Sequence, residues 1–399
     1  MTMTTAEQMR AWRGVPLLTY GFRPFFLGAG LWAALLMALW IGVISGALSL
    51  PSAFDPVSWH AHELMFGYVG AVVSGFLLTS VPNWTRRLPI VGWPLAGLAG
   101  LWLAGRIAVA FSASLPPLLV AVIDLSALTV LAGFLAREII AGRNWRNLAV
   151  LGMLGAMVVA NGLFHWEAAH GDYAARGFGL RLALAATILL IALIGGRIVP
   201  SFTRNWLVRR RDPARPAATG RFDHLSMAAM VLALVLWVLV PEARWTGLAL
   251  LAAGLLHSAR LMRWSWRRTG AEPLVWILHA GYAFVPLGAV ALGLAVLYPE
   301  AMAGVAAQHL WMAGAVGTMT VAVMTRATLG HTGQELTAGR GTVAIYLAII
   351  ASVLCRFLAG FTVEWSALLL DAAGTLWCAG FLGFAVLYGP ALMRAKPAL

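Results

Sequence analysis

Residues 55–87 read DPVSWHAHELMFGYVGAVVSGFLLTSVPNWTRR. Two histidines and a glutamate, His60, His62 and Glu63, stand at the start, and an apolar run follows as far as Pro82 and the arginine pair 86 and 87. A run of roughly 20 apolar residues is the length of a helix that crosses a bilayer. The stretch therefore reads as a membrane helix with metal-ligand side chains at its mouth.

The rest of the chain repeats the first half of that reading. Of 399 residues, 61% are hydrophobic and only 11% charged, with a mean hydropathy of +0.83. Soluble domains carry about 25% charge. An all-α polytopic membrane protein follows, with about twelve helices at 25–49, 63–82, 93–111, 117–136, 147–165, 178–200, 224–241, 245–262, 273–297, 300–325, 342–362 and 366–390. The net charge of +13 would point to nucleic acid in a soluble protein. Here 23 of the 28 Lys and Arg residues fall at the termini and in or next to the loops after even-numbered helices, three fall on the opposite side, and two, Arg106 and Arg356, lie deeper within helices. That bias predicts cytoplasmic termini and no nucleic-acid partner. The N-terminus has no cleavable-signal pattern, so the first helix is expected to be retained. Cys355 and Cys378 make neither a CxxC motif nor a disulfide framework.

A period of about 120 residues runs through one transmembrane domain, 1–399. Thr-Arg pairs at 85/86, 203/204 and 325/326 close helices 2, 6 and 10, and glycines 133, 254 and 380 mark helices 4, 8 and 12. These markers predict three four-helix repeats, 20–145, 146–268 and 269–399. Two hairpins each carry an intramembrane arginine and aspartate, Arg106 with Asp124 and Arg356 with Asp371. Charges at that depth face protein or water and take a partner. Each pair reads as a structural ion pair, or as an arginine available to an anion such as a haem propionate.

The histidines sort by depth along their helices. His257, His279 and His331 fall toward the inner face, whereas His60, His62, His165 and His309 fall toward the outer face. A single buried histidine is commonly a packing residue. Two bands of them also suit imidazole ligation of copper or haem iron. Shared ligation of one iron by His62 and His309 requires tilt, or a break in helix 2 near Gly67. Adjacent alternate histidines in HAHE suit an extended ligand pair better than one helical face. The chain holds no Walker A, G-x-S-x-G or HExxH motif, and no CxxCH, so any haem is b-type and held noncovalently.

Several stretches together resemble one bacterial inner-membrane family, NnrS: GFRPFFL (21–27), WHAHELMFGY (59–68), GFLLTSVPNWT (75–85), RNWRNL (143–148), LIGGRIVPSFTRN (193–205) and GTMTVAVMTRATLGHTG (317–333). The resemblance implies a haem- and copper-containing membrane protein tied to denitrification and nitric oxide stress. It carries over His60, His62, Glu63, His165, His257, His279, His309, Arg326 and His331 without saying which binds which metal. Three functions stay open. One is an oxidoreductase that binds or reduces nitric oxide, with His62 and His309 axial to haem, His60 and His165 near copper, Arg106 at a propionate, and an unidentified electron donor. The second is a non-catalytic haem or copper sensor or metal-handling protein. The third is a metal or small-anion transporter.

Overall fold

The computed structural model describes residues 7, 11–85, 87 and 89–395. Arg86, half of the first Thr-Arg pair, lies outside them. Among the described residues there is no strand, and twelve helices carry the fold. They are α1 (Phe22–Ile44), α2 (Pro56–Thr85), α3 (Trp93–Ala110), α4 (Pro117–Ala141), α5 (Leu148–Ala169) and α6 (Phe178–Arg209). After them come α7 (Arg221–Leu239), α8 (Arg244–Met262), α9 (Pro273–Leu297), α10 (304–332), α11 (Arg340–Leu358) and α12 (Ser366–Met393). Ten are long and apolar enough to cross a membrane, all but α8 and α10.

The helix starts follow capping chemistry. Asp55 accepts from the backbone N–H groups of Val57 and Ser58 at 3.0 and 2.9 Å, and Pro56 occupies the first turn of α2. Glu272 accepts from Leu274 N–H at 3.1 Å ahead of Pro273 in α9. Both arrangements satisfy backbone donors that a helix start leaves bare.

Cα packing divides the chain into two compact units. Unit one comprises Met1–Ala186, Thr328–Gln334 and Phe384–Leu399. Within it α2 packs against α1, α3 and α4, and α4 against α3 and α5. Its centre is α2, with 78% of its most apolar window buried, against 28% to 39% for α1, α3, α4 and α5. Unit two comprises Thr187–Ala327 and Glu335–Gly383. Here α8 and α9 approach closely because glycines line the seam. A Cβ at Gly254 would sit 3.0 Å from Pro286 O, and one at Gly293 2.8 Å from Gly247 O. Small residues are the usual means of bringing membrane helices together.

Two helices depart from α geometry. In α2 the segment Glu63–Val69, which includes Gly67, is a π-helix and so a widened turn. In α10 a second π segment spans Leu310–Gly317. Each begins directly after a histidine, His62 or His309. π segments recur at functional positions in helices.

One ion-pair expectation needs correcting. Arg106 does pair with Asp124. Among the described residues Arg356 and Asp371 form no ion pair, and Asp371 is exposed. Arg356 lies two residues from the end of α11 and Asp371 five residues into α12. Near a helix end a long arginine side chain can extend toward the interface, so Arg356 does not require Asp371 as a partner.

Candidate metal site in unit one

HAHE folds as helix, not as an extended pair. His60 and His62 therefore leave α2 in different directions. His60 stacks on Trp40 of α1, with ring centroids 4.4 Å apart. His62 is fully buried and points toward α4 and α5. There its Nε2 lies 3.2 Å from Asp124 Oδ2 and 3.0 Å from Asn161 Oδ1. Asp124 Oδ2 also lies 3.1 Å from His165 Nε2 and accepts from Asn161 Nδ2 at 2.8 Å. Asn161 and His165 are one turn apart on α5, so a single helix face supplies both.

The ligand atoms of His62, Asp124 and His165 all lie within 4.8 Å of one another, and all three residues are buried. Ligand–metal bonds of about 2.0–2.2 Å set neighbouring ligand atoms about 3–4 Å apart. The two imidazole–carboxylate separations fall in that range. Imidazole with carboxylate suits copper, iron, zinc or nickel.

Behind this group stands a second layer. Glu63 Oε1 lies 3.1 Å from His62 Nδ1 and also accepts from Arg106, whose other Nη donates to Asp124. Glycine at 105 makes the last contact possible, because a Cβ there would lie 2.7 Å from Asp124 Oδ1. Gly67, inside the π turn, acts similarly, since a Cβ would meet Arg106 Nη1 at 2.9 Å and Glu63 Oε2 at 3.0 Å. An apolar shell surrounds the polar groups. Around the His62 ring, Phe66, Phe164 and Phe54 lie at 5.0, 5.2 and 5.3 Å, and the His165 ring at 5.0 Å.

The charges decide what the cluster can hold. Two carboxylates face one guanidinium, and both ring nitrogens of His62 face oxygen acceptors. An imidazole that is neutral has one nitrogen with no proton to offer. The network closes when His62 is an imidazolium, or when a cation occupies the Nε2 lone pair. A proton and a metal ion thus compete for one position.

The other histidines behave differently. His257 in unit two has both nitrogens occupied, Nδ1 2.8 Å from Tyr282 Oη and Nε2 3.0 Å from Ser226 O. His279 sets Nε2 against Thr203 Oγ1 at 2.8 Å, while its buried Nδ1 has no hydrogen-bond partner. His309 is half-buried in unit two, with Nδ1 2.7 Å from Val305 O. His331 in unit one packs its ring against Tyr20 and Phe22, at 5.5 and 5.4 Å. None of these, and not His60, belongs to the convergent group. Arg106 belongs to its supporting layer.

Fold and site together define a multi-pass helical membrane protein with a buried imidazole–carboxylate cluster of metal-ligand geometry. A family model described as NnrS protein matches residues 16–396, and the chain belongs to that family. Membership fits a membrane protein of the nitric oxide response. Comparison with curated proteins finds no match.

Proposed function

We propose that this protein binds one copper ion at His62, His165 and Asp124 and a b-type haem at His309, and that it binds nitric oxide at these metals in the bacterial inner membrane. The observation that carries the reading is the convergence of three buried ligand atoms in a cluster that needs one more cation. Copper heads the affinity order of divalent ions for such donors. The arginine bias supports cytoplasmic termini and a site in the outer half of the bilayer. Nitric oxide is small and uncharged, so it reaches a site enclosed in hydrocarbon without a polar path.

The residues fit the two groups unequally. His62 fits an ion and not a porphyrin, because four rings lie within 5.3 Å of its own. His257 has no nitrogen to give. In His309 the carbonyl of Val305 can only accept, so Nδ1 carries a proton and donates it there. A ligating histidine commonly donates its other N–H in this way. When bound, haem iron and copper supply open coordination positions for a diatomic ligand. The protein's own groups keep charge balanced around them. His62 would hold the ion through Nε2, the position that a proton takes otherwise. Glu63 Oε1, 3.1 Å from Nδ1, holds the proton on that nitrogen. Arg106 keeps Glu63 and Asp124 apart in charge and fixed in place.

Metal analysis and a reduced-minus-oxidised spectrum of the detergent-purified protein, repeated with nitric oxide, test the proposal. The expected result is one copper and a Soret band that shifts with the gas. Copper should be lost in His165→Ala with haem kept, and haem lost in His309→Ala with copper kept. Full retention of both groups in both variants would overturn the assignment. A shift with release of nitrous oxide marks a reductase, and one without product a sensor or metal-handling protein.

A further inference from the structure

Unit two buries a hydrogen-bonded network that the metal sites leave unused. It joins His257 and Arg260 of α8, Tyr282 of α9 and Asp223 of α7. Every proton in it can be placed. The Ser226 carbonyl only accepts, so His257 Nε2 carries a proton and Nδ1 a lone pair. Tyr282 Oη, 2.8 Å from that lone pair, therefore donates to it, and accepts from Arg260 Nη1, also at 2.8 Å. Arg260 is fixed in turn by Asp223 at 2.9 Å and by the Ala192 carbonyl at 3.1 Å. Arg260 stands near the end of the 245–262 run, close to the loop cations that follow it, yet it is buried.

The backbone is shaped for this arrangement. In LIGGRIVPSFTRN, a Cβ on Gly195 would meet Tyr282 Cδ2 at 3.0 Å, and one on Gly196 would meet Arg260 Nη2 at 2.2 Å. The two glycines let the phenol and the guanidinium lie against α6. The Trp264 ring stands edge-on to Tyr282 with centroids 4.6 Å apart.

A phenol is hard to oxidise while it keeps its proton, because the radical cation is strongly acidic. An acceptor lone pair already in hydrogen-bond contact removes that obstacle. We propose that Tyr282 is a redox-active residue, which gives one electron to nitrogen dioxide while passing its phenolic proton to His257. In that step the Tyr282 O–H bond breaks and an N–H bond forms at His257 Nδ1. The electron converts nitrogen dioxide to nitrite, and a neutral phenoxyl radical remains beside an imidazolium. The Arg260 charge beside Tyr282 is already paired with Asp223, and His257 keeps its Nε2–H bond to Ser226 O. Nitrogen dioxide forms where nitric oxide meets oxygen and is uncharged, so it enters the bilayer freely. The choice of oxidant rests on the nitric oxide reading, whereas the Tyr282–His257 geometry does not.

The test is pulse radiolysis of nitrite, which generates nitrogen dioxide, in the presence of the full-length purified protein. Optical detection and freeze-quenched electron paramagnetic resonance follow the radical. A phenoxyl signal is expected, with added fluorine splitting when 3,5-difluorotyrosine replaces Tyr282, a change that keeps ring and hydroxyl. Formation should slow in D2O, and by about 10²-fold or more in His257→Gln, the worth of a positioned proton acceptor. No phenoxyl, a spectrum indifferent to the fluorinated residue, or an unchanged rate in His257→Gln would each overturn the proposal. Copper and haem contents of the same sample report separately on the metal assignment.

Discussion

The two buried networks use nearly the same parts and reach opposite ends. In unit one, His62 and His165 meet Asp124, Glu63 and Arg106, with acceptors on both nitrogens of His62. In unit two, His257 meets Tyr282, Arg260 and Asp223, with a donor on one nitrogen and an acceptor on the other. The first network closes only with a proton or a metal ion at His62 Nε2, and the second is closed as it stands. The balance of acceptors against donors, more than the number of histidines, decides which buried cluster can take a metal.

The largest effect should come from Asp124→Ala. It removes the oxygen shared by both histidines and one of the two carboxylates that hold Arg106, leaving Glu63 as the other, and losing one partner of a buried pair costs about 3–5 kcal/mol. Thermal unfolding in detergent and metal analysis should show a destabilised protein without copper. Asp223→Ala should cost less, about 1–3 kcal/mol, and keep its copper, since Arg260 retains Ala192 O and Tyr282 Oη. Equal losses of copper in both variants would break the contrast.

Gly196→Ala drives a methyl into Arg260 and should cost about 1–3 kcal/mol through overpacking, again with copper intact. His165→Ala removes one ligand but only one hydrogen bond, so copper affinity should fall at least tenfold, the lower bound seen even for outer-shell changes, for about 1 kcal/mol of stability. Isothermal titration with copper separates the two quantities. Smallest of all is Arg87→Ala, which breaks a pair with Glu138 whose arginine is 44% exposed. It should stay under about 1 kcal/mol and weaken with salt. A larger effect on unfolding there would mean that surface pairs in this protein rival its buried ones.

Much of the fold is legible because the bilayer demands long apolar runs, and arginines punctuate them. The Arg106–Asp124 pair is legible for the same reason, since charges are rare at that depth. The place of Asp124 in the His62–His165 cluster is not, because those partners come from α2 and α5 and no spacing along the chain joins them. Asn161 was missed although a signal existed. It stands four residues before His165 in VVANGLFHW, so the two share a face. His60 was grouped with His62 by adjacency, which helical geometry undoes. The unit-two network was hidden because Arg260 sits near a helix end and resembles a topogenic loop cation, and because Asp223 looks like a first-turn acid.

A π turn holds one residue more than the α turn it replaces, so α2 and α10 each carry a frameshift in their own helical register. Removing a single residue between 63 and 69 would return that turn to α geometry and leave the residues beyond it facing as they do now, because the π turn already takes up one extra residue. Gly70 would go on facing Leu128 of α4, whereas a deletion in the α segment between Gly70 and Thr85 would rotate everything beyond it by about 100°. These two segments absorb a residue inside a helix, as loops do between helices. Along this chain, an extra residue is stored at the points just after His62 and His309.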